Sequence, residues 1–170
     1  NHFLLGLAYH KVFDYPQAVA AYERMESLQK DFTSTRLNLG ISYMKQADML
    51  GGQSGIPKIS QPFPSLVNDC LTQAAVWLQR ALESDPESPG YHQFLGRTYY
   101  HLGNFAAAEK ELLDALRYSH QRSFEYRESD DSHPDIYSYL GKAYYYQGKF
   151  SESEQSFQQA LQELQKKPDE

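Results

Sequence analysis

One cysteine, Cys70, is all the chain carries, so no disulfide framework can staple it. A lone cysteine of this kind is expected to be buried packing. No apolar run approaches the ~20 residues that a membrane-spanning helix needs, and no secretory leader is visible. An excess of basic charge is missing too: 16 Lys and Arg stand against 22 Asp and Glu, a net charge of -6. That balance argues against nucleic acid and against anionic membranes as partners. Catalytic constellations are equally scarce. Gly52-Gln53-Ser54-Gly55 lacks the spacing of a nucleophile elbow, and no glycine loop is built to cradle phosphate. The six histidines form no H-x-x-x-H pair and no link to the cysteine, so neither a zinc site nor any cofactor is expected. The reading is therefore of a soluble, non-enzymatic protein. Its compartment is left open, with a slight lean to the cytoplasm. Because the sequence starts inside what reads as a helix, it is expected to be a segment of a longer protein.

What is present is repetition. A Leu-Gly pair followed three residues later by Tyr occurs four times: Leu5-Gly6 with Tyr9, Leu39-Gly40 with Tyr43, Leu95-Gly96 with Tyr99, and Leu140-Gly141 with Tyr144. Gly6 and Gly40 are 34 residues apart; the next two intervals are longer by 22 and by 11 residues. A second pattern, spaced by four and then three, follows each pair: Ala18, Tyr22 and Met25; Ala74, Leu78 and Ala81; Ala108, Leu112 and Ala115; Ser153, Phe157 and Ala160. That spacing sets the three residues of each set on one helical face. Turn signals separate the two patterns at Asp14-Tyr15-Pro16, Gly103-Asn104-Phe105 and Gly148-Lys149-Phe150. Each copy thus reads as two helices and a turn. Small residues at the crossing let the axes approach, and a single pair cannot bury its apolar face alone, so neighbours must stack.

These residues resemble the tetratricopeptide repeat. The resemblance implies an all-α solenoid, a right-handed superhelix of four helix-turn-helix units. The approximate repeats are 1–32, 33–88, 89–122 and 134–167. A 22-residue insertion at about 47–69 falls between the helices of the second repeat, and 11 extra residues, about 123–133, fall between the third and fourth. Ile56, Ile59, Phe63 and Leu66 give the first insertion apolar anchors. The sequence departs from the family pattern where a bulky residue is expected early in the first helix: Tyr137 supplies it in the fourth copy, but His2, Arg36 and His92 stand in the others. Met25 and Ser153 replace small residues.

The resemblance further implies that the first helices of the repeats line a concave surface for another protein. Counting from each Leu-Gly pair, the candidate partner-binding residues are Leu7 and Lys11 in the first copy, and Asn38, Ile41 and Lys45 in the second. In the third they are Phe94, Arg97 and Tyr100, and in the fourth Tyr139, Lys142, Tyr145 and Tyr146. The first half of this surface, with Leu37 and Met44 added, reads as aliphatic and the second half as aromatic and basic, a composition suited to interface anchors. Of the Tyr144-Tyr145-Tyr146 run, at least one ring must face solvent. A known subfamily clamps the C-terminal carboxylate of chaperones; only Asn38 matches its residues, and no such clamp is expected here. The expected function is a scaffold or adaptor that grips a peptide or helix of a partner protein. A self-associating structural module and a recruiting domain of a larger protein or enzyme are the alternatives.

Overall fold

The computed structural model describes residues 1–29, 32–51, 65–122 and 133–166. Among them are eight helices and no strand: α1 (His2–Lys11), α2 (Tyr15–Leu28), α3 (Thr33–Gly51), α4 (Ser65–Ser84), α5 (Pro89–His101), α6 (Phe105–Arg122), α7 (His133–Tyr146) and α8 (Phe150–Lys166). They form two compact units, Asn1–Pro86 and Glu87–Glu170. Each unit holds two antiparallel helix pairs, as the repeat pattern requires.

The turns show why the sequence breaks where it does. In three pairs the carbonyl of the motif tyrosine accepts the backbone amide five residues on: Tyr9 from Asp14 at 3.0 Å, Tyr99 from Asn104 at 2.9 Å, and Tyr144 from Lys149 at 3.0 Å. The residue just before that amide is left-handed in each case, Gly103 at φ 75°, Gly148 at φ 76° and Phe13 at φ 61°. Glycine takes this conformation freely; phenylalanine does so at a cost. The following helix is then capped by a side-chain oxygen in two of the three. Asp14 accepts from the Gln17 amide at 3.3 Å, and Asn104 from the Ala107 amide at 3.3 Å.

Within each pair the motif glycine is the point of closest approach. A methyl group added at Gly6 would collide with the Tyr22 ring; at Gly40 it would lie 2.6 Å from Leu78 Cγ, at Gly96 2.7 Å from Leu112 Cγ, and at Gly141 3.0 Å from the Phe157 ring. Across each crossing lie the small residues of the second pattern. Ala18, Ala74, Ala81, Ala108 and Ala115 are wholly inaccessible to solvent. In the first unit the core gathers Ala18, Val19, Tyr22 and Leu39, with Phe3, Leu7, Tyr43 and Trp77 against it. In the second unit Leu112, Ala115, Leu116, Ile136 and Leu140 form one cluster, and Tyr100, Ala108 and Ala143 another. Burying each large side chain contributes roughly 1.5–3 kcal/mol. Cys70 is buried on α4, and that burial pushes its thiol pKa upward, as expected of a packing residue.

Two of the sequence departures turn out to be compensated. Arg36 is buried with its Nε on Glu26 at 3.0 Å and its Nη1 donating to the Arg80 carbonyl at 3.3 Å. His92 is buried with its Nδ1 2.7 Å from Glu111 and its ring stacked 5.3 Å from Tyr118. Where the pattern wants bulk, this chain puts a polar side chain and supplies its partner. Ser153, in place of a small apolar residue, donates to the Gly141 carbonyl at 2.8 Å and so ties α8 to α7.

The helices of the second repeat reach further than the sequence reading allowed. Ala47 to Gly51 continue α3 and Ser65 to Asp69 begin α4, so helix occupies both ends of the span assigned to the insertion. Leu66 is 53% exposed on α4 and not an anchor. Ile56, Ile59 and Phe63 lie outside the described residues, as does most of the insertion at 123–133.

Candidate partner-binding surface

The structure treats the candidate residues of the two units differently. In the first unit, Leu7 packs against the core cluster. Asn38 spends its amide on the Ser34 carbonyl, one turn back in its own helix, at 2.7 Å. Lys45 lies 3.9 Å from Asp48, also on α3. Ile41 is half-buried and Lys11 exposed, while Met44 is buried in the core rather than on the surface. No convergent polar site arises among them. The exposed apolar residues of α1 and its turn are instead Leu4, Leu5, Val12 and Phe13.

In the second unit, α5 and α7 run side by side and bring four candidates together. The Arg97 guanidinium lies over the Phe94 ring at 6.0 Å and over the Tyr139 ring at 5.0 Å, and the Lys142 ammonium lies 4.6 Å from the Tyr139 centroid. Phe94, Arg97, Tyr139 and Lys142 are each partly exposed. Such cation–π contacts hold the long side chains in place without discharging them. The Lys142 ammonium loses its proton more readily than an ordinary lysine. Burial is the larger cause and repulsion from Arg97 the next, with Asp135 opposing both.

Tyr100 departs from the expectation: the repeat register puts it on the partner-facing surface, yet it is only 1% exposed. Its ring sits against Tyr139 at 5.4 Å, Phe105 at 5.8 Å and Tyr146 at 6.2 Å, and burial drives its hydroxyl pKa well upward. Packing of α7 onto α5 takes this ring into the core. Tyr146 is stacked on Phe105 at 4.9 Å and half-buried. Tyr145 is the exposed member of the tyrosine run, and it stands edge-on to Phe150 at 5.7 Å. Phe150, 64% exposed, was read from the sequence only as part of a turn. Its signal was its register: it follows Gly148 as Phe105 follows Gly103.

One group has the donor types of a metal site. Ligand atoms of His92, Glu111 and Asp114, all buried, lie within 4.8 Å of one another. Each carboxylate, though, already has a cation. Lys110 reaches Glu111 at 3.0 Å and Asp114 at 3.5 Å, and Arg117 reaches Asp114 at 2.6 Å. Burial alone would raise the Glu111 pKa, but hydrogen bonds from His92 and Lys110 outweigh it and hold the carboxyl below its usual value. The arrangement is that of a satisfied ion-pair network. Among the described residues no helix is long and apolar enough to cross a membrane.

Comparison with known proteins agrees with the helical pairs. Residues 71–129 and residues 134–166 match two family models, each described as tetratricopeptide repeat, which together span more than half of the chain. No curated protein matches the sequence significantly. Among solved structures, MamA 41-end from Desulfovibrio magneticus RS-1 superposes with a TM-score of 0.74 at 12% identity, over 99% of this chain and 76% of that one. TTC0263, a thermophilic TPR protein of Thermus thermophilus, gives 0.68 at 19% identity, over 97% and 73%. A MamA chain designated MSR-1 C2 gives 0.70 at 17% identity, over 96% and 75%. At such identities the likeness establishes the fold.

Proposed function

We propose, from the premise that the chain belongs to the tetratricopeptide-repeat family, that it is a protein-binding module whose contact surface is the α5–α7 face of its second unit. The observation that carries this reading is the cluster of Phe94, Arg97, Tyr139 and Lys142, two partly exposed rings interleaved with two cations. Aromatic rings bury much area at low entropic cost, and tyrosine and arginine are enriched among the residues that dominate measured interface energies. Tyr145 and Tyr146 extend the surface along α7, and Tyr100 supports it from beneath; Leu7, Lys11, Asn38, Ile41 and Lys45 form a separate set of proposed contacts on the first unit.

Panning the chain against a displayed library of random peptides, followed by affinity measurement on the enriched sequences, tests the assignment. The double variant Tyr139→Ala with Arg97→Glu is expected to keep its helical circular dichroism and to lose at least about tenfold in affinity for those peptides. Peptides held equally well by the double variant, or no enrichment at all, refute it.

A second reading is self-association through α8, and one observation favours it. Phe157, Leu161 and Leu164 are 37%, 59% and 57% exposed along one side of the helix, an apolar stripe of the kind that marks contact surfaces. Light scattering across a concentration series separates the readings. A mass that grows with concentration and reverts to monomer in Leu161→Glu supports self-association, whereas a constant monomer mass removes it.

A further inference from the structure

We propose that Arg97 and Lys142 form a two-cation subsite for the side-chain carboxylate of an Asp or Glu carried by the partner, seated against Tyr139. This rests on the contact surface proposed above and assigns its chemistry. Both cations lean on the same ring, at 5.0 and 4.6 Å from its centroid, so they can be no further apart than those two distances laid end to end. Like charges this close repel, and the neighbouring acid does not cancel them. Asp135, exposed at the start of α7, acts on Lys142 more weakly than Arg97 does.

The other cations described in this unit make the contrast. Lys110 has Glu111 and Asp114, Arg117 has Asp114, and Lys149 has Glu109 at 2.7 Å. Among the described residues no acid stands within ion-pair distance of Arg97 or Lys142. The Arg97 Nε is shut off from water with no acceptor, so a carboxylate meets the guanidinium at its terminal nitrogens, which offer paired donors. A carboxylate arriving there offsets the repulsion between Arg97 and Lys142. The apolar flank of Phe94 and Tyr139 accommodates the alkyl stem of an acidic residue. The site differs in its residues from the chaperone-tail clamp, of which the sequence matches Asn38 alone.

The test titrates the whole chain with a hexaglutamate peptide at constant ionic strength, with hexaglutamine and inorganic phosphate as parallel probes. Nuclear magnetic resonance follows the Lys142 Cε and the Tyr139 ring. Hexaglutamate is expected to shift both saturably and to move the Lys142 titration back towards that of an ordinary lysine. Affinity should fall at least about fivefold in Arg97→Gln and, independently, in Lys142→Met, whose side chains are partly exposed and whose helices should persist by circular dichroism. No saturable shift, a hexaglutamine shift of equal size, or a phosphate shift larger than that of hexaglutamate overturns the assignment. Displayed peptides that depend on Tyr139 but bind Arg97→Gln and Lys142→Met undiminished would leave the contact surface standing and remove this subsite alone.

Discussion

Tyr100 and Tyr145 occupy the same position of the repeat, 45 residues apart, and one is 1% exposed while the other is 57% exposed. Their helices carry the same Leu-Gly-x-x-Tyr signature and end in the same turn. The difference is in what lies beside them. α7 presses Tyr139 and Tyr146 against Tyr100, and no described helix does the same for Tyr145. The second helices repeat the lesson. Leu112 of α6 is wholly buried and its counterpart Phe157 of α8 is 37% exposed; Leu116 is 8% exposed and its counterpart Leu161 59%. Position within a repeat fixes which way a side chain points, and the neighbouring pair decides whether water reaches it, as expected of an architecture held together by nearest-neighbour contacts.

The largest effect should come from truncating the two counterparts and comparing them. Leu112→Ala is expected to cost about 3–4 kcal/mol, the range for an inaccessible leucine whose cavity cannot collapse. Phe157→Ala should cost about 1 kcal/mol, despite removing more atoms, because its ring is partly solvated already. Urea unfolding of both variants reads the difference directly. Equal losses would mean that α8 is covered in solution by something the described residues do not show.

A smaller contrast is polar. The third pair sets His92 against Glu111 where the fourth has Tyr137 and Ser156, whose hydroxyl turns back to the Glu152 carbonyl at 2.8 Å. Glu111→Ala removes a hydrogen-bonded, buried acceptor and should cost about 2 kcal/mol. It should also change the response to acid. The Glu111 carboxyl lies below its ordinary value of 4.5 in the folded chain, so its contribution is present above that value and is lost as the pH falls through the lower, folded one. Urea midpoints measured downward from pH 5 should therefore fall less steeply for Glu111→Gln than for the parent chain. Parallel curves would show that Glu111 gains nothing from its partners.

How far this contrast was legible in the sequence depends on which physical term settles each residue. The four motif glycines, the small residues opposite them and the turn glycines Gly103 and Gly148 are fixed by contacts within one helix pair, and their spacing declares them; the left-handed Phe13 carries no such signal. Tyr100 was misread because its burial depends on α7, a helix whose approach no spacing within α5 encodes. The extent of α3 and α4 into the insertion was missed for another reason. Length alone marks an insertion, and length does not say where helix hands over to loop. Arg36 and His92 read as departures because the pattern describes bulk. The carboxylates that satisfy them, Glu26 and Glu111, come from a different helix and are visible only once the helices are placed. The convergence of Arg97 and Lys142 was half legible: they are counterparts one repeat apart, and the Tyr139 ring they share is what the sequence could not position.

The smallest effect tests the crossing itself, through Gly96→Ala and Gly141→Ala. Two terms compete. Alanine in place of a helical glycine gains up to about 1 kcal/mol in backbone entropy and helix propensity, while a methyl group forced into a filled crossing costs about 1–3 kcal/mol. At Gly96 the added carbon would stand 2.7 Å from Leu112 Cγ and 3.2 Å from the Leu112 backbone nitrogen. Leu112 is buried on all sides and cannot withdraw, so overpacking should win and leave a net loss of about 1 kcal/mol. At Gly141 the nearest atoms are ring carbons of Phe157 at 3.0 to 3.1 Å, and that ring, being partly exposed, can swing outward. There the two terms should nearly cancel. Matched urea midpoints for the two variants give the answer. A Gly141→Ala loss as large as that of Gly96→Ala would show the fourth crossing to be as confined as the third, and the freedom of Phe157 would then have to be abandoned.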